Sequence, residues 1–207
     1  VQYLAQLIQK NEIGEIRSIS SRRVGLGPIR NDVSALWDLA THDIYIVNYL
    51  LGKLPKTISY QGMSFNGALD DVVNIVLKFA DPDAIAHIHS SWMYPMKERN
   101  IVVVGTKKAV VFDDIHPSNK IIVHNKGVDY HPQNPDFGAF QAAIRDGEIV
   151  IPNIPFDEPL KRELRHFISC IKKEEVCISD GKSGLDTVRI LEAAENSKRK
   201  HGLEVKI

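Results

Sequence analysis

The chain reads as an α+β domain: a large open, mainly antiparallel β-sheet with helices packed on one face. Three observations carry this. Between residues 56 and 125, short stretches alternate apolar and polar residues and are separated by tight turns such as Asp81-Pro82-Asp83 and Thr106-Lys107-Lys108. That pattern belongs to antiparallel neighbours. Helical periodicity is found instead near residues 34–51 and after residue 158, and strands segregated from helices give an α+β layer rather than a βαβ repeat. The 207 residues are 43% apolar and 25% charged, enough to bury one substantial core.

The elements follow in order. Leu4, Leu7 and Ile8 recur at helical spacing and Gly14 is a stop. The chain opens at Val1 inside that pattern, so residues 1–13 are expected to be the remnant helix leaving an upstream domain, and residues 14–207 the domain proper. Glu15–Val24 reads as a strand and Gly25-Leu26-Gly27-Pro28 as a turn. Ser34–Leu51 reads as a strong helix, with Asn31, Asp32 and Ser34 as candidate N-caps, Gly52 as the stop and Pro55 just beyond. Strand candidates are Lys56–Phe65, Val72–Phe79, Ala84–Met93, Ile101–Gly105, Ala109–Phe112 and Lys120–His124. Residues 126–158, rich in Pro, Gly, Asn and Asp, read as an excursion broken by a short helix, Phe137–Arg145. Helices Glu158–Lys173 and Ser183–His201 close the chain.

Composition removes several function classes. With 26 basic and 26 acidic residues there is no long-range pull on nucleic acid or an anionic membrane. No apolar run reaches the roughly 20 residues of a membrane helix. Two cysteines, Cys170 and Cys177, imply a reducing, cytoplasmic setting and free thiols used in packing. His87 and His89 share a strand face without an acidic or thiol partner at ligand spacing, so no metal site is expected. Gly25-Leu26-Gly27 is not a dinucleotide fingerprint, because Arg30 stands where the third glycine belongs and no helix opens there.

The most informative segment is Trp37-Asp38-Leu39-Ala40-Thr41-His42-Asp43. Asp38 and His42 are four apart and share a helix face. Tyr45 and Tyr49 extend that stripe, while Leu36, Ala40, Val47, Leu50 and Leu51 form the opposite, core-facing one. A carboxylate and an imidazole backed by two tyrosines can orient a polyhydroxy substrate and move a proton; a solvated face with a casual pair is the alternative. Asp43 falls among the core positions, where a carboxylate needs partners, either by capping a backbone segment or by pairing with an arginine. Arg22, Arg23 and Arg30 flank the turn before this helix, and their forks suit phosphate oxygens. Surface arginines on a solvated loop are the competing reading.

These residues carry a resemblance. Gly14-Glu15-Ile16, Arg22-Arg23-Val24-Gly25, Asp38-Leu39-Ala40-Thr41-His42-Asp43-Ile44 and Tyr49-Leu50-Leu51-Gly52 occur in an order that resembles the C-terminal domain of the glucose–fructose oxidoreductase / inositol dehydrogenase (Gfo/Idh/MocA) family. Ser91-Trp92 through Pro95 and Lys97-x-Arg99, running into Ile101–Gly105, resemble its central hairpin. Glu158-Pro159-Leu160 with Glu163 and Phe167, and Ser183-Gly184-Leu185 with Leu191–Ala194, resemble its closing helices. Val33-Ser34-Ala35 departs from the glycine-rich approach often found before the site helix.

The resemblance implies a two-domain enzyme whose absent Rossmann domain binds NAD or NADP and carries a Glu-Lys-Pro lysine. It implies His42 as general base and Asp38 as the residue positioning a substrate hydroxyl or the imidazole. Arg22, Arg23, Arg30, Tyr45 and Tyr49 would then bind substrate. The arginine-rich variant is most similar to members acting on nucleotide sugars, with dehydrogenation at C3 of a UDP-N-acetylhexosamine as the type. A free-sugar or cyclitol dehydrogenase and a non-catalytic assembly module are the alternatives. Without its Rossmann domain the chain is expected to be inactive. The second sheet face mixes Val72 and Val76 with Asn74, Lys78, His87 and His89, which suits an interface. A homo-oligomer, dimer or tetramer, is expected through that face.

Overall fold

The computed structural model describes all residues except 28, 66, 131–141 and 156. Its strands are β1 (Ile16–Leu26), β2 (Thr57–Met63), β3 (Val72–Phe79), β4 (Ala84–Ser91), β5 (Met93–Gly105), β6 (Ala109–Asp113), β7 (Ile121–Tyr130), β8 (Ala142–Val150) and β9 (Val205–Lys206). The helices are α1 (Gln2–Gln9), α2 (Thr41–Leu51), α3 (Pro159–Ile171) and α4 (Gly181–Arg199), and a π-helical turn, Leu36–Ala40, leads into α2. All nine strands form one sheet in the order β8-β7-β6-β5-β1-β4-β3-β2-β9.

Alternation puts one side chain in two against the helices. On that face Ile19, Ile75, Leu77, Ala86, Ile88, Ile101 and Val103 are almost fully buried. They meet Leu4 of α1, Leu36 and Ala40 of the π turn, Ile44 and Val47 of α2, and Ile190, Leu191 and Ala194 of α4. Burying that apolar area is the main stabilising contribution. Gly52 ends α2 at φ 65°, where its N–H reaches the Asn48 carbonyl at 2.8 Å, a conformation glycine adopts without a Cβ penalty.

The expected α+β layer is present, and four features differ from the reading above. First, β1 sits inside the sheet: it pairs antiparallel with β5 and parallel with β4, the one parallel pair among the described strands. β4 and β5 are therefore not a closed hairpin. The chain crosses the end of β1 at Trp92, where Met93 pairs with Leu26 and the Gly27 N–H reaches the Trp92 carbonyl. Second, β1 continues to Leu26 through an irregularity after Val24, so Gly25 and Leu26 are strand rather than turn. Third, residues 142–145 of the expected helix Phe137–Arg145 lie in β8, paired with β7; residues 137–141 lie outside the described residues. Ala142-Ala143 favours a helix locally, but a free strand edge overrides weak propensity. Fourth, no side chain caps the site helix. The Ser34 hydroxyl is buried without a hydrogen-bond partner among the described residues, and the Ala35 N–H is taken by the Asp70 carbonyl at 2.8 Å.

Asp70 is a second knot. Its carboxylate accepts from the Tyr60 hydroxyl at 2.5 Å and pairs with Lys198 at 2.7 Å, joining β2 to α4 beside the start of the site helix. Burial, then the Asp70 bond, raises the Tyr60 phenol far above its ordinary pKa, so it stays a donor.

Candidate functional site

The helix after β1 is fixed from below by Asp43. This residue is 2% exposed. The Ser21 hydroxyl donates to Oδ1 at 2.7 Å, and Arg23 donates from Nε to Oδ2 at 2.7 Å and from Nη2 to Oδ1 at 3.4 Å. Ser21 and Arg23 are two apart on β1, so both point to the helix face. The arrangement is the arginine partner that a carboxylate at a core position requires. Removing one member leaves a buried charge unpaired, which costs on the order of 3–5 kcal/mol.

On the outward side of the same helix start stand Asp38 and His42, one turn apart. Arg30 Nη1 donates to Asp38 Oδ1 at 3.1 Å, and its Nε and Nη2 fork onto the Asp32 carboxylate at 3.0 and 2.6 Å. The bond to Asp32 raises the Arg30 pKa and lowers that of Asp32. His42 is exposed and makes no hydrogen bond among the described residues, and Asp38 does not bond to it. Crowding by neighbouring atoms, then the Arg23 charge, lowers the His42 pKa below its ordinary 6.5; Asp43 and Asp38 oppose this. The ring is therefore neutral at pH 7 and able to accept a proton. Thr41 bonds back to the Trp37 carbonyl at 2.6 Å inside the π turn; such turns are frequent at functional sites.

Tyr45 and Tyr49 stack with ring centroids 6.3 Å apart. They line a groove of about 200 Å³ with Asn48, Lys53, Ile178 and Ser183. Neither Asp38 nor His42 lines that groove. The Tyr45 hydroxyl donates to the Ile178 carbonyl at 2.9 Å, and burial raises its pKa. The helix thus carries two regions: Asp38 and His42 at its start, with Arg30 of the preceding loop, and the tyrosines further along.

The three arginines do not converge. Arg23 and Arg30 lie on the helix side. Arg22, on the alternate face of β1, stacks over Tyr94 at 5.0 Å and pairs with Glu98 at 3.3 Å. Sequence reading missed Ser21, Tyr94 and the Ile178–Ser183 side of the groove. The period-two spacing of Ser21 and Arg23 was available as a signal. Nothing local to Ile178 announces a contact 133 residues away in the chain.

This open sheet with its helices on one face is a fold shared with solved dehydrogenases. The chain belongs to the GFO/IDH/MocA C-terminal domain family, whose sequence profile matches residues 1–111. Solved structures share the fold. UDP-N-acetylglucosamine 3-dehydrogenase GnnA from Acidithiobacillus ferrooxidans superposes with TM-score 0.71 at 15% identity over 93% of this chain and 57% of that one. The WlbA dehydrogenase from Bordetella pertussis, solved with NADH and UDP-GlcNAcA, gives TM-score 0.70 at 17% identity over 100% of this chain and 59% of that one. An inositol dehydrogenase homolog from Azotobacter vinelandii, solved with NADH and myo-inositol, gives 0.73 at 17% identity over 100% and 61%. The chain therefore spans 57–61% of the length of these structures. No curated protein matches it in sequence.

Proposed function

We propose that this chain is the substrate-binding and catalytic half of a nicotinamide-dependent oxidoreductase that oxidises a sugar hydroxyl, on a nucleotide sugar of the UDP-N-acetylhexosamine type. The observation that carries the reading is the helix start: a neutral, unbonded His42 one turn from Asp38, with Arg30 beside them. His42 takes the proton of the reacting hydroxyl. Asp38, held by Arg30, accepts a hydrogen bond from a sugar hydroxyl and fixes its orientation. Such general-base assistance contributes about 10²–10⁴ in rate. Arg30, already bonded to Asp32 and Asp38, has a side chain 44% exposed within reach of a phosphate, and Arg23 holds the helix through Asp43. Arg22 faces the other side of the sheet.

NAD or NADP would take the hydride. Residues 25–27 do not fit that cofactor: Gly25 is in a strand, and Gly27 bonds to Trp92 rather than opening a helix. The reading therefore assigns the cofactor to a further domain; two longer relatives are solved with NADH. A cytoplasmic homo-oligomer joined through the open sheet face completes the proposal.

Titrating the isotope-labelled chain with UDP-N-acetylglucosamine, UDP and myo-inositol, followed by NMR, tests the substrate class. The reading expects shifts centred on Arg30, Asp38 and His42 with the UDP-sugar, smaller ones with UDP, and none with myo-inositol. Shifts with myo-inositol alone would favour the free-cyclitol reading, and shifts only elsewhere would contradict the site.

A further inference from the structure

The hinge between α3 and α4 brings together three soft-metal ligands that play no part in the proposed reaction. His166 and Cys170 are four apart on α3, so they share a face one turn apart. Cys177 returns from the following loop. His166, Cys170 and Cys177 can each direct one ligand atom so that all lie within 4.8 Å of one another. Both thiols are free, with Cys170 Sγ 3.4 Å from His166 Nε2. The His166 ring is already oriented. Its Nδ1 lies 2.7 Å from a Glu175 carboxylate oxygen, which accepts its proton. That is how metal-binding histidines are usually fixed, leaving Nε2 for the ion.

We propose that His166, Cys170 and Cys177 form a zinc-class cation site, with water as the fourth ligand. Binding would release the two thiol protons to solvent and form two sulfur–metal bonds and one nitrogen–metal bond, without redox change. Two thiolates balance a divalent charge, and a Cys₂His set with an open position is a known tetrahedral arrangement for zinc. A cation between the sulfurs favours their thiolate form. Nε2 currently accepts from the Ile178 N–H at 3.2 Å, a bond that the ion displaces. The site would staple residues 172–180, all exposed, onto α3. Ile178 also holds the Tyr45 hydroxyl, so the staple reaches the tyrosine groove.

The test is a cobalt(II) titration of the reduced, chelator-stripped full chain, followed by zinc. The proposal expects thiolate-to-cobalt charge transfer and intense tetrahedral d–d bands, saturating at one equivalent and abolished by zinc. Cys170→Ser, Cys177→Ser and His166→Ala should each lose affinity by more than the roughly 10–100-fold that outer-shell changes cost. Glu175→Gln should keep the bands with affinity reduced within that range. These side chains contribute no core, so unchanged circular dichroism will separate ligand loss from misfolding. Absent bands, bands unaltered in the variants, or a Cys170–Cys177 disulfide with no cobalt binding after reduction would overturn the proposal.

Discussion

At the residue scale, the helix start shows how one backbone stretch serves two ends. Asp43 faces inward and is saturated by Ser21 and Arg23, whereas His42 faces outward with its nitrogens free among the described residues. The folded-state pKa of His42 is depressed below 6.5, mainly by desolvation and then by Arg23. The neutral ring's contribution to stability is thus fully present above the unfolded-state value. It is lost as pH falls through the lower folded-state pKa. Urea unfolding of the chain across this window should show stability falling with acidity, and His42→Gln should shallow that slope. Equal slopes in the two proteins would show that the fold does not perturb this histidine. The Asp38–His42 stripe and the need of Asp43 for a partner were legible from spacing. The separation of Arg22 from Arg23 was available from the period-two rule as well, since the expected strand Glu15–Val24 contains both.

At the element scale, helices differ sharply in how they are held. The helix formed by the π turn and α2 buries Leu36, Ala40, Ile44 and Val47 completely, whereas α3 buries no side chain. Its apolar stripe is open, with Leu164 53% exposed and Phe167 62% exposed. Ile44→Ala should therefore cost about 2–5 kcal/mol, whereas Leu164→Ala should stay within about 0.5 kcal/mol. Denaturant titration of both variants checks this, and similar losses would contradict the assigned burial. The positions of α2, α3 and α4 were readable from helical periodicity, and that of α2 also from its glycine stop, Gly52. Glu158 and Asp180 cap α3 and α4, accepting from backbone N–H groups. The side-chain cap expected for the site helix from Asn31, Asp32 or Ser34 is not made; the Asp70 carbonyl takes the Ala35 N–H from across the fold instead. The strand at 142–150 was hidden because its reason is a partner, β7, rather than its own composition.

At the scale of the whole molecule, the open sheet face is graded. One row across it reads Ile122, Val111, Val102, Ser20, His87, Val76 and Ser59; the row nearer the end of β1 reads Asp113, Asn100, Arg22, His89, Asn74 and Gln61. Aliphatic side chains thus gather away from the arginines. If copies meet through this face, Val102→Asp, in the middle of the apolar row, should shift the sedimentation mass of the chain from oligomer toward monomer at micromolar concentration. A wild-type monomer, or a variant of unchanged mass, would contradict the sheet-face assembly. Alternating residues between 72 and 124 made this mixed face legible in the sequence. The insertion of β1 between β4 and β5 was not, because parallel pairing with a distant strand leaves no turn to read.

The most direct measurement of the central claim joins this chain to a nicotinamide-binding domain and follows reduction of NAD or NADP with a UDP-N-acetylhexosamine. The account predicts substrate-dependent reduction that falls by about 10²–10⁴ in His42→Ala with the fold intact. Asp38→Asn should also fall strongly. Turnover unchanged in the His42 variant would contradict it.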